Sequence, residues 1–252
     1  MNILVFQHAT SENPGSFCEL FHADGAALHI IEFDRGQKPS ALERFDFLMV
    51  MGGPQNVWQE DEYPWLKDEK AAIREFVLEM QRPYLGICLG HQLLAEAVGG
   101  RVEAAKTGEI GVLTNTKTDA GRRDPVVSSL PDPFTALQWH GAEVTALPQD
   151  AELLASSPLC PVQAFRYGDR AYGFQGHIEA TRDTIRKWAK LPEYEKCDDP
   201  AYSPDNINRL SRSVEANLTD INAVARTVYE TLIRPAIIKT TWTRRQADGN
   251  SR

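Results

Sequence analysis

A tight turn between a strand and a helix limits the fold of this chain more than any other feature. The segment Gly86-Ile87-Cys88-Leu89-Gly90 follows an apolar run and precedes a stretch with helical periodicity. A residue at such a turn takes a strained backbone conformation, and its neighbours must be very small to avoid clashes. The glycines on both sides of Cys88 therefore predict an elbow that presents the cysteine side chain at the end of a buried strand.

Apolar runs bounded by turn residues recur before and at this elbow. They cover residues 3–6, 27–33, 47–51 and 84–87, and helical periodicity lies between several of them, as in residues 66–80 and 91–98. Strands that are apolar on both faces and alternate with helices are typical of a parallel sheet covered on both sides. The pattern predicts an α/β fold with a doubly wound, mostly parallel sheet. Between residues 102 and 175 it changes to shorter segments, such as "IGVLTNT" and "ALQWHG", which predict added antiparallel or edge strands.

The C-terminal part of the chain has a different composition. Apolar residues recur at steps of three or four in residues 204–233, which predicts an amphipathic helix. Its apolar face either packs on the domain or forms a dimer or partner surface. The predicted organisation is a main domain over residues 1–190, a helical extension packed on it over 191–239, and a disordered tail over 240–252.

Charge and cysteine content argue against several classes of protein. A formal net charge of -8 argues against affinity for nucleic acid or anionic membranes. The first residues are interpreted as a strand rather than a signal peptide. The scattered cysteines, without a C-x-x-C pair, are interpreted as reduced thiols of a cytoplasmic protein; they are Cys18, Cys88, Cys160 and Cys197. We expect neither a metal nor an organic cofactor.

The elbow also predicts a chemical role for Cys88. The helix amino terminus favours a thiolate, and the backbone N–H of Leu89 points to where an oxyanion would form. In "GFQGHIEAT", Glu179 follows His177 by two residues, so both side chains face the same side of an extended segment. These residues predict a Cys–His–Glu triad. A buried structural cysteine, a surface salt bridge between His177 and Glu179, and a metal pair of Cys88 with His91 are the alternatives.

Two further segments offer polar contacts. Gly52-Gly53-Pro54 ends a strongly apolar strand, where a backbone N–H could serve as a second oxyanion donor. An ordinary turn at the end of a strand is the alternative. His140, in "LQWHGAE", is a candidate substrate contact.

Taken in order, "MGGPQ", "PYLGICLGHQLLAEAVGG", "GEIG", "LQWHGAE" and "GFQGHIEAT" resemble the class I glutamine amidotransferase family. The resemblance spans roughly residues 47–181 and implies a flavodoxin-like α/β fold. It implies that Cys88 is the nucleophile, His177 the base and Glu179 its orienting acid. The resemblance also implies that the backbone N–H groups of Gly53 and Leu89 form the oxyanion hole. It implies that glutamine is bound by Gly52, Gln92, Trp139 and His140.

The resemblance implies hydrolysis of glutamine, with ammonia passed to a separate synthetase or other acceptor enzyme. Two positions depart from the family, which usually has an aromatic residue and a proline where this chain has Gly176 and Ile178. A free-standing γ-glutamyl peptidase would use the same acyl half of the substrate and is the main alternative. A non-catalytic binding module and an α/β-hydrolase with cysteine at its elbow are the others. A homodimer is compatible with all of these interpretations.

Overall fold

The computed structural model describes residues 1–39, 41–192, 202–236 and 238. The strands are β1 (Asn2–Gln7), β2 (Ala27–Glu32), β3 (Phe47–Val50), β4 (Tyr84–Ile87), β5 (Arg101–Lys117), β6 (Phe134–Ala146), β7 (Ala151–Ser156), β8 (Ala164–Tyr167) and β9 (Ala171–Phe174). The α-helices are α1 (Phe17–Ala23), α2 (Trp65–Arg74), α3 (Leu89–Ala97), α4 (Thr184–Trp188) and α5 (Pro204–Val228). Short 3-10 turns cover Phe33–Arg35, Leu42–Arg44 and Val127–Ser129, and π-helical turns at Glu75–Glu79 and Tyr229–Ile233 extend α2 and α5.

The nine strands form a sheet in the order β2-β1-β3-β4-β9-β8-β7-β5-β6. The five strands from β2 to β9 in that order are parallel to one another. The remaining pairings, which join β9, β8, β7, β5 and β6, are antiparallel. The prediction of an α/β fold with added antiparallel strands agrees with this order. The prediction of a mostly parallel sheet is wrong for the nine strands together. It holds only for the five strands from β2 to β9 in the order above.

Alternate residues of the parallel strands pack into two apolar layers. On β1, Ile3 and Val5 join the layer that holds α1 and the end of α5. Leu4 and Phe6, on the other face, join the layer that holds α2 and α3. This two-sided burial is the physical reason why the inner strands β3, β4 and β9 are apolar at every position, whereas the edge strand β2 contains His29 and Glu32.

Strands β5 and β6 are longer than the sequence predicts, at 17 and 13 residues. Their register shifts between Ala104 and Glu109. At this irregularity Gly108 lies so close to β6 that a Cβ on it would be 2.9 Å from the carbonyl oxygen of His140. Because the irregularity interrupts the alternation of side chains, one long strand looks like two short ones in the sequence.

Helix α5 packs on the sheet-forming part of the chain, as one of the two interpretations expects. The part of α5 up to Ile221 packs through Leu210, Val214 and Ile221 on a cluster that contains Trp139 and Trp188. Its last two turns, which include Val224 and Val228, join the layer with α1. The division of the chain at residue 190 stays a prediction, and the predicted tail over 240–252 lies outside the described residues. Within the described residues, no helix combines the length and apolarity needed to cross a bilayer.

The topology brings four chain segments to one edge of the sheet. Strands β1, β3, β4 and β9 are neighbours and parallel, so their carboxyl ends meet. His8, Cys88 and Gln175 directly follow β1, β4 and β9, and Gly52 comes two residues after the end of β3. A ligand site at this edge is therefore a consequence of the strand order.

Candidate active site

The turn after β4 has the strained backbone of an elbow. Cys88 has φ 52° and ψ -105°, a conformation that L-residues rarely adopt. A Cβ on Gly86 would lie 2.4 Å from the carbonyl oxygen of Gly90, and one on Gly90 would lie 2.2 Å from that of Val50. The turn therefore has no room for a side chain at either glycine.

The Cys88 side chain lies at the amino end of α3, which begins at Leu89. It is 6% exposed. Gln175 Nε2 lies 3.7 Å from the Cys88 Sγ, and Gln175 Oε1 accepts a hydrogen bond of 3.1 Å from Gln92 Nε2. Gln92, a predicted substrate contact, is thus connected to the thiol through Gln175. Gln175 was not among the residues predicted from the sequence.

His177 and Glu179 form a buried pair beside the elbow. His177 Nδ1 lies 2.7 Å from Glu179 Oε1, and the backbone of His177 bridges to Leu137 on β6. Burial by itself would lower the pKa of His177, but the charges of Glu179 and Cys88, and hydrogen bonds to both, raise this pKa well above its usual range. The structure thus brings together the three side chains of the predicted triad, Cys88, His177 and Glu179.

The two glycines after β3 lie against these side chains. A Cβ on Gly52 would lie 2.7 Å from His177 Cε1, so only glycine allows the imidazole to sit there. A Cβ on Gly53 would lie 2.9 Å from Leu89 Cδ2. Gly53 and Leu89 are therefore neighbours, and both line the same cleft as Cys88.

This cleft has a volume of about 120 Å³ and contains three of the predicted substrate contacts. Its lining includes Gln92, Trp139 and His140, together with Tyr202, which precedes α5. The space suits a small ligand, since pockets for drug-sized molecules have roughly 300 Å³ or more. Gly52 does not line the cleft and contacts the imidazole instead.

His140 is held from both ring nitrogens by the protein itself. Nδ1 lies 3.0 Å from the carbonyl oxygen of Ala142, and Nε2 lies 3.0 Å from Glu109 Oε2. Glu109 also accepts hydrogen bonds from Ser157 and Gln163. The predicted contact of His140 with a substrate is therefore limited to its ring carbons or backbone.

The same region groups three potential metal ligands. Ligand atoms of Glu109, His140 and Cys160 lie within 4.8 Å of one another and are buried. Each of these groups already has a hydrogen-bond partner within the protein. Glu109 and His140 bond each other, and the Cys160 thiol donates to the carbonyl oxygen of Val162 at 3.6 Å. A hydrogen-bonded network accounts for the grouping.

A larger cavity, of about 600 Å³, lies at the opposite edge of the sheet. Its lining includes Asp46, Pro83 and Arg170, which precede β3, β4 and β9. It is remote from Cys88, which follows the other end of β4.

Sequence reasoning missed two groups of buried side chains around the site. His8 Nε2 lies 2.9 Å from Oε1 of Glu69, an acid that is distant from it in the sequence. Glu12 is buried close to His177, and burial, opposed by the charge of His177, raises its pKa to about 7. No local pattern could reveal either group, because the fold brings the partners together across 61 residues of chain for His8.

Comparison with known proteins finds one family. The sequence profile described as Glutamine amidotransferase class-I matches residues 15–187. The glutamine amidotransferase-like protein YfeJ of Salmonella typhimurium is 32% identical over 202 residues, which cover 79% of this chain and 84% of YfeJ. A glutamine-hydrolysing GMP synthase subunit from Halobacterium salinarum is 33% identical over 67% of this chain and 86% of its own length.

A second kind of relative is a peptidase. Gamma-glutamyl peptidase 3 of Arabidopsis thaliana is 27% identical over 67% of this chain and 69% of the peptidase. Other matched relatives are much longer than this chain, which spans about a third of the GMP synthases from Aeropyrum pernix and Psychrobacter arcticus. A glutamine amidotransferase structure from Thermotoga maritima superposes with a TM-score of 0.78, at 28% identity, over 91% of this chain and 96% of that one.

Proposed function

The chain belongs to the class I glutamine amidotransferase family, and from this premise we propose that it hydrolyses the side-chain amide of glutamine through a thioester on Cys88. The family membership supports a hydrolase that acts on such amides. The ammonia released would pass to a separate acceptor enzyme. The GMP synthase relative from Halobacterium salinarum, which is itself one subunit of an enzyme, favours such a partner.

The observation that carries the proposal is the strained elbow with the His–Glu pair beside it. Cys88 holds a positive φ at the amino end of a helix, and the His177 imidazole is fixed by a 2.7 Å contact with Glu179. A structural cysteine needs neither the strain nor the buried acid–base pair. Both features are costly to build, and they meet at one point of the sheet edge.

The proposed reaction uses these groups in sequence. The Cys88 thiolate attacks the γ-carboxamide carbon, and the backbone N–H groups of Gly53 and Leu89 stabilise the oxyanion. The His177 imidazolium gives its proton to the departing ammonia. A water molecule, deprotonated by His177, then attacks the thioester carbon. Cleavage of the C–S bond releases glutamate and restores the Cys88 thiolate beside the His177 imidazolium.

The two departures from the family pattern are compatible with this chemistry. A Cβ on Gly176 would lie 2.7 Å from Ala136 Cβ and 2.6 Å from Gln138 Nε2, so β6 leaves no room for an aromatic side chain. Ile178 replaces the usual proline and is fully buried in the core. In this chain the packing of Ile178 in the core holds the backbone between His177 and Glu179. It thereby supports their short contact, as the rigid backbone of a proline would.

A second function, cleavage of γ-glutamyl peptides, has specific support. The peptidase relative covers two thirds of the chain, and a glutamine amide shares its acyl half with a γ-glutamyl peptide bond. The triad geometry is the same for both reactions, and only the leaving group differs.

Steady-state kinetics of the purified chain separate the two functions. Glutamate release would be measured on glutamine and on a panel of γ-glutamyl dipeptides, with Cys88→Ala as the inactive control. We expect kcat/KM to be higher for glutamine than for the dipeptides. Turnover of glutamine by the isolated chain is expected to be slow, because sites of this kind are completed when an acceptor enzyme docks. Rapid cleavage of the dipeptides with negligible glutamine turnover would overturn the first function in favour of the second.

A further inference from the structure

A buried His–Glu pair holds the peptide that precedes the proposed oxyanion donor. His8 follows β1, and its Nδ1 lies 2.8 Å from the carbonyl oxygen of Gly52. Its Nε2 lies 2.9 Å from Glu69 Oε1 on α2. The side chains of both partners are fully buried. The pair thus connects α2 to the end of β3 through the interior of the protein.

The direction of the first hydrogen bond follows from its partners. A carbonyl oxygen can only accept, so the hydrogen lies on His8 Nδ1, which donates to Gly52. Burial alone would lower the pKa of His8, but Glu69 and the Gly52 carbonyl raise it overall. Because Nδ1 and Nε2 each face an oxygen acceptor, the imidazolium, with a hydrogen on each ring nitrogen, satisfies both contacts. Its ring stacks on Phe33 and Trp65, at 5.9 and 5.5 Å between ring centroids.

The Gly52 carbonyl and the Gly53 N–H belong to one peptide plane. In a trans peptide these two groups point in opposite directions, so fixing the carbonyl also fixes the N–H. A Gly-Gly sequence has no Cβ to restrict rotation of this plane, and an outside contact must set its orientation. A cationic donor on the carbonyl also polarises the peptide and strengthens its N–H as a donor.

We propose that His8 and Glu69 are positioning residues that orient and polarise the Gly52–Gly53 peptide, so that the Gly53 N–H stabilises the oxyanion. The proposal rests on the hydrolytic function proposed above. A merely structural pair is the weaker explanation, because buried ion pairs are often no more stabilising than apolar side chains of similar volume. The pair contacts the one peptide of the site that most needs orientation.

The test compares a reaction that forms an oxyanion with one that does not. Glutamate γ-semialdehyde adds the Cys88 thiol across its C=O bond to give a thiohemiacetal, whose oxygen occupies the oxyanion position. Iodoacetamide alkylates the same sulfur with loss of iodide and forms no oxyanion. Inhibition by the semialdehyde and alkylation by iodoacetamide therefore report on the oxyanion site and on the thiol separately.

His8→Phe keeps the stacked ring and removes the donor. We expect kcat for glutamate release to fall and the inhibition constant of the semialdehyde to rise, each by roughly 10- to 100-fold, at or below the effect of losing a whole oxyanion donor. KM and the rate of alkylation by iodoacetamide should change less than about threefold. The matched control is His29→Phe, because His29 lies on β2, is exposed and also packs on a phenylalanine ring, at 5.2 Å from Phe45.

Two conservative variants keep the proposal testable if His8→Phe does not fold. His8→Asn retains an N–H donor near the position of Nδ1 and should recover most of the loss. Glu69→Gln keeps the size of the side chain but removes the charge that favours the imidazolium, so semialdehyde binding should weaken by roughly 3- to 10-fold. Unchanged semialdehyde binding in His8→Phe would overturn the inference, provided that the unsubstituted protein is active. If His8→Phe is unfolded, unchanged binding in Glu69→Gln has the same meaning. An unsubstituted protein that neither hydrolyses any γ-glutamyl compound nor binds the semialdehyde would overturn the proposed function and this inference together.

Discussion

Glu12 is a buried acid whose ionisation works against folding. Its side chain has an oxygen without a hydrogen-bond partner among the described residues, and burial raises its pKa from 4.5 to about 7. Between these two values the folded protein keeps the proton that the unfolded chain has already lost. The free energy of unfolding therefore contains a contribution from Glu12 that falls as pH rises from about 4.5 to about 7.

Glu12→Gln should remove this pH-dependent loss. We expect the variant to be more stable than the unsubstituted protein at pH 8, on the order of 2–3 kcal/mol, and to have a much smaller advantage at pH 5. Urea denaturation at both pH values measures the difference. Glu43→Gln, at an exposed glutamate, is the control and should show no such pH dependence. A stabilisation that does not grow between pH 5 and pH 8 would contradict the burial of an ionisable Glu12.

Cys88 should react with alkylating agents before the other described thiols. Burial raises the pKa of Cys160 to about 12 and also raises that of Cys18, so neither is readily ionised at neutral pH. Peptide mapping after brief treatment with iodoacetamide should find the label at Cys88, and Cys160→Ala should be labelled to the same extent. Labelling chiefly at Cys18, Cys160 or Cys197 would refute the role proposed for Cys88; Cys197 lies outside the described residues.

The residues predictable from sequence are those with a local pattern. The elbow glycines around Cys88 and the two-residue spacing of His177 and Glu179 are visible without a structure, and the spacing becomes a 2.7 Å contact. Glu12 and His8 have no such pattern, because their surroundings depend on where the ends of β1 and β3 meet. Their roles follow only from the strand order.

The strand–elbow–helix element depends on the close approach of α3 to β3. Gly90→Ala would place a Cβ 2.2 Å from the carbonyl oxygen of Val50, a contact with backbone that no side-chain rotation can relieve. We expect a loss in the free energy of unfolding of about 1–3 kcal/mol, as for other overpacked sites, together with reduced hydrolysis. Gly141→Ala is the matched control, since a Cβ there meets nothing within 4 Å. Equal stability of the two variants by urea denaturation would contradict the crowded elbow.

Prediction of the elements succeeded where the apolar period is regular. The stretches predicted as helical, residues 66–80, 91–98 and 204–233, correspond to α2, α3 and α5 with their π-helical turns. The lengths of β5 and β6 were wrong, because a strand that changes register loses its regular alternation. Element type is thus set by local pattern, whereas strand length also depends on the neighbouring strand.

At the scale of the whole molecule, the C-terminal helix and the site share one apolar cluster. Val214 of α5 packs in the cluster of Trp139 and Trp188. The Trp188 ring lies 4.4 Å from that of His177, and Trp139 lines the cleft. The different composition of the C-terminal part predicted an extension to the domain, yet these contacts extend from α5 to the proposed base.

Val214→Asp tests whether this helix is part of one cooperative unit with the site. The substitution buries an unpaired carboxylate, and we expect unfolding to remain a single transition with a loss of about 3 kcal/mol or more. Ala216→Asp adds the same charge at an exposed position of α5 and should change stability by less than about 0.5 kcal/mol. Thermal unfolding followed by tryptophan fluorescence and by glutamate release should report the same midpoint for Val214→Asp, because Trp139 and Trp188 lie between the helix and His177. A separate early transition that leaves hydrolysis intact would instead show that α5 is an extension independent of the catalytic fold.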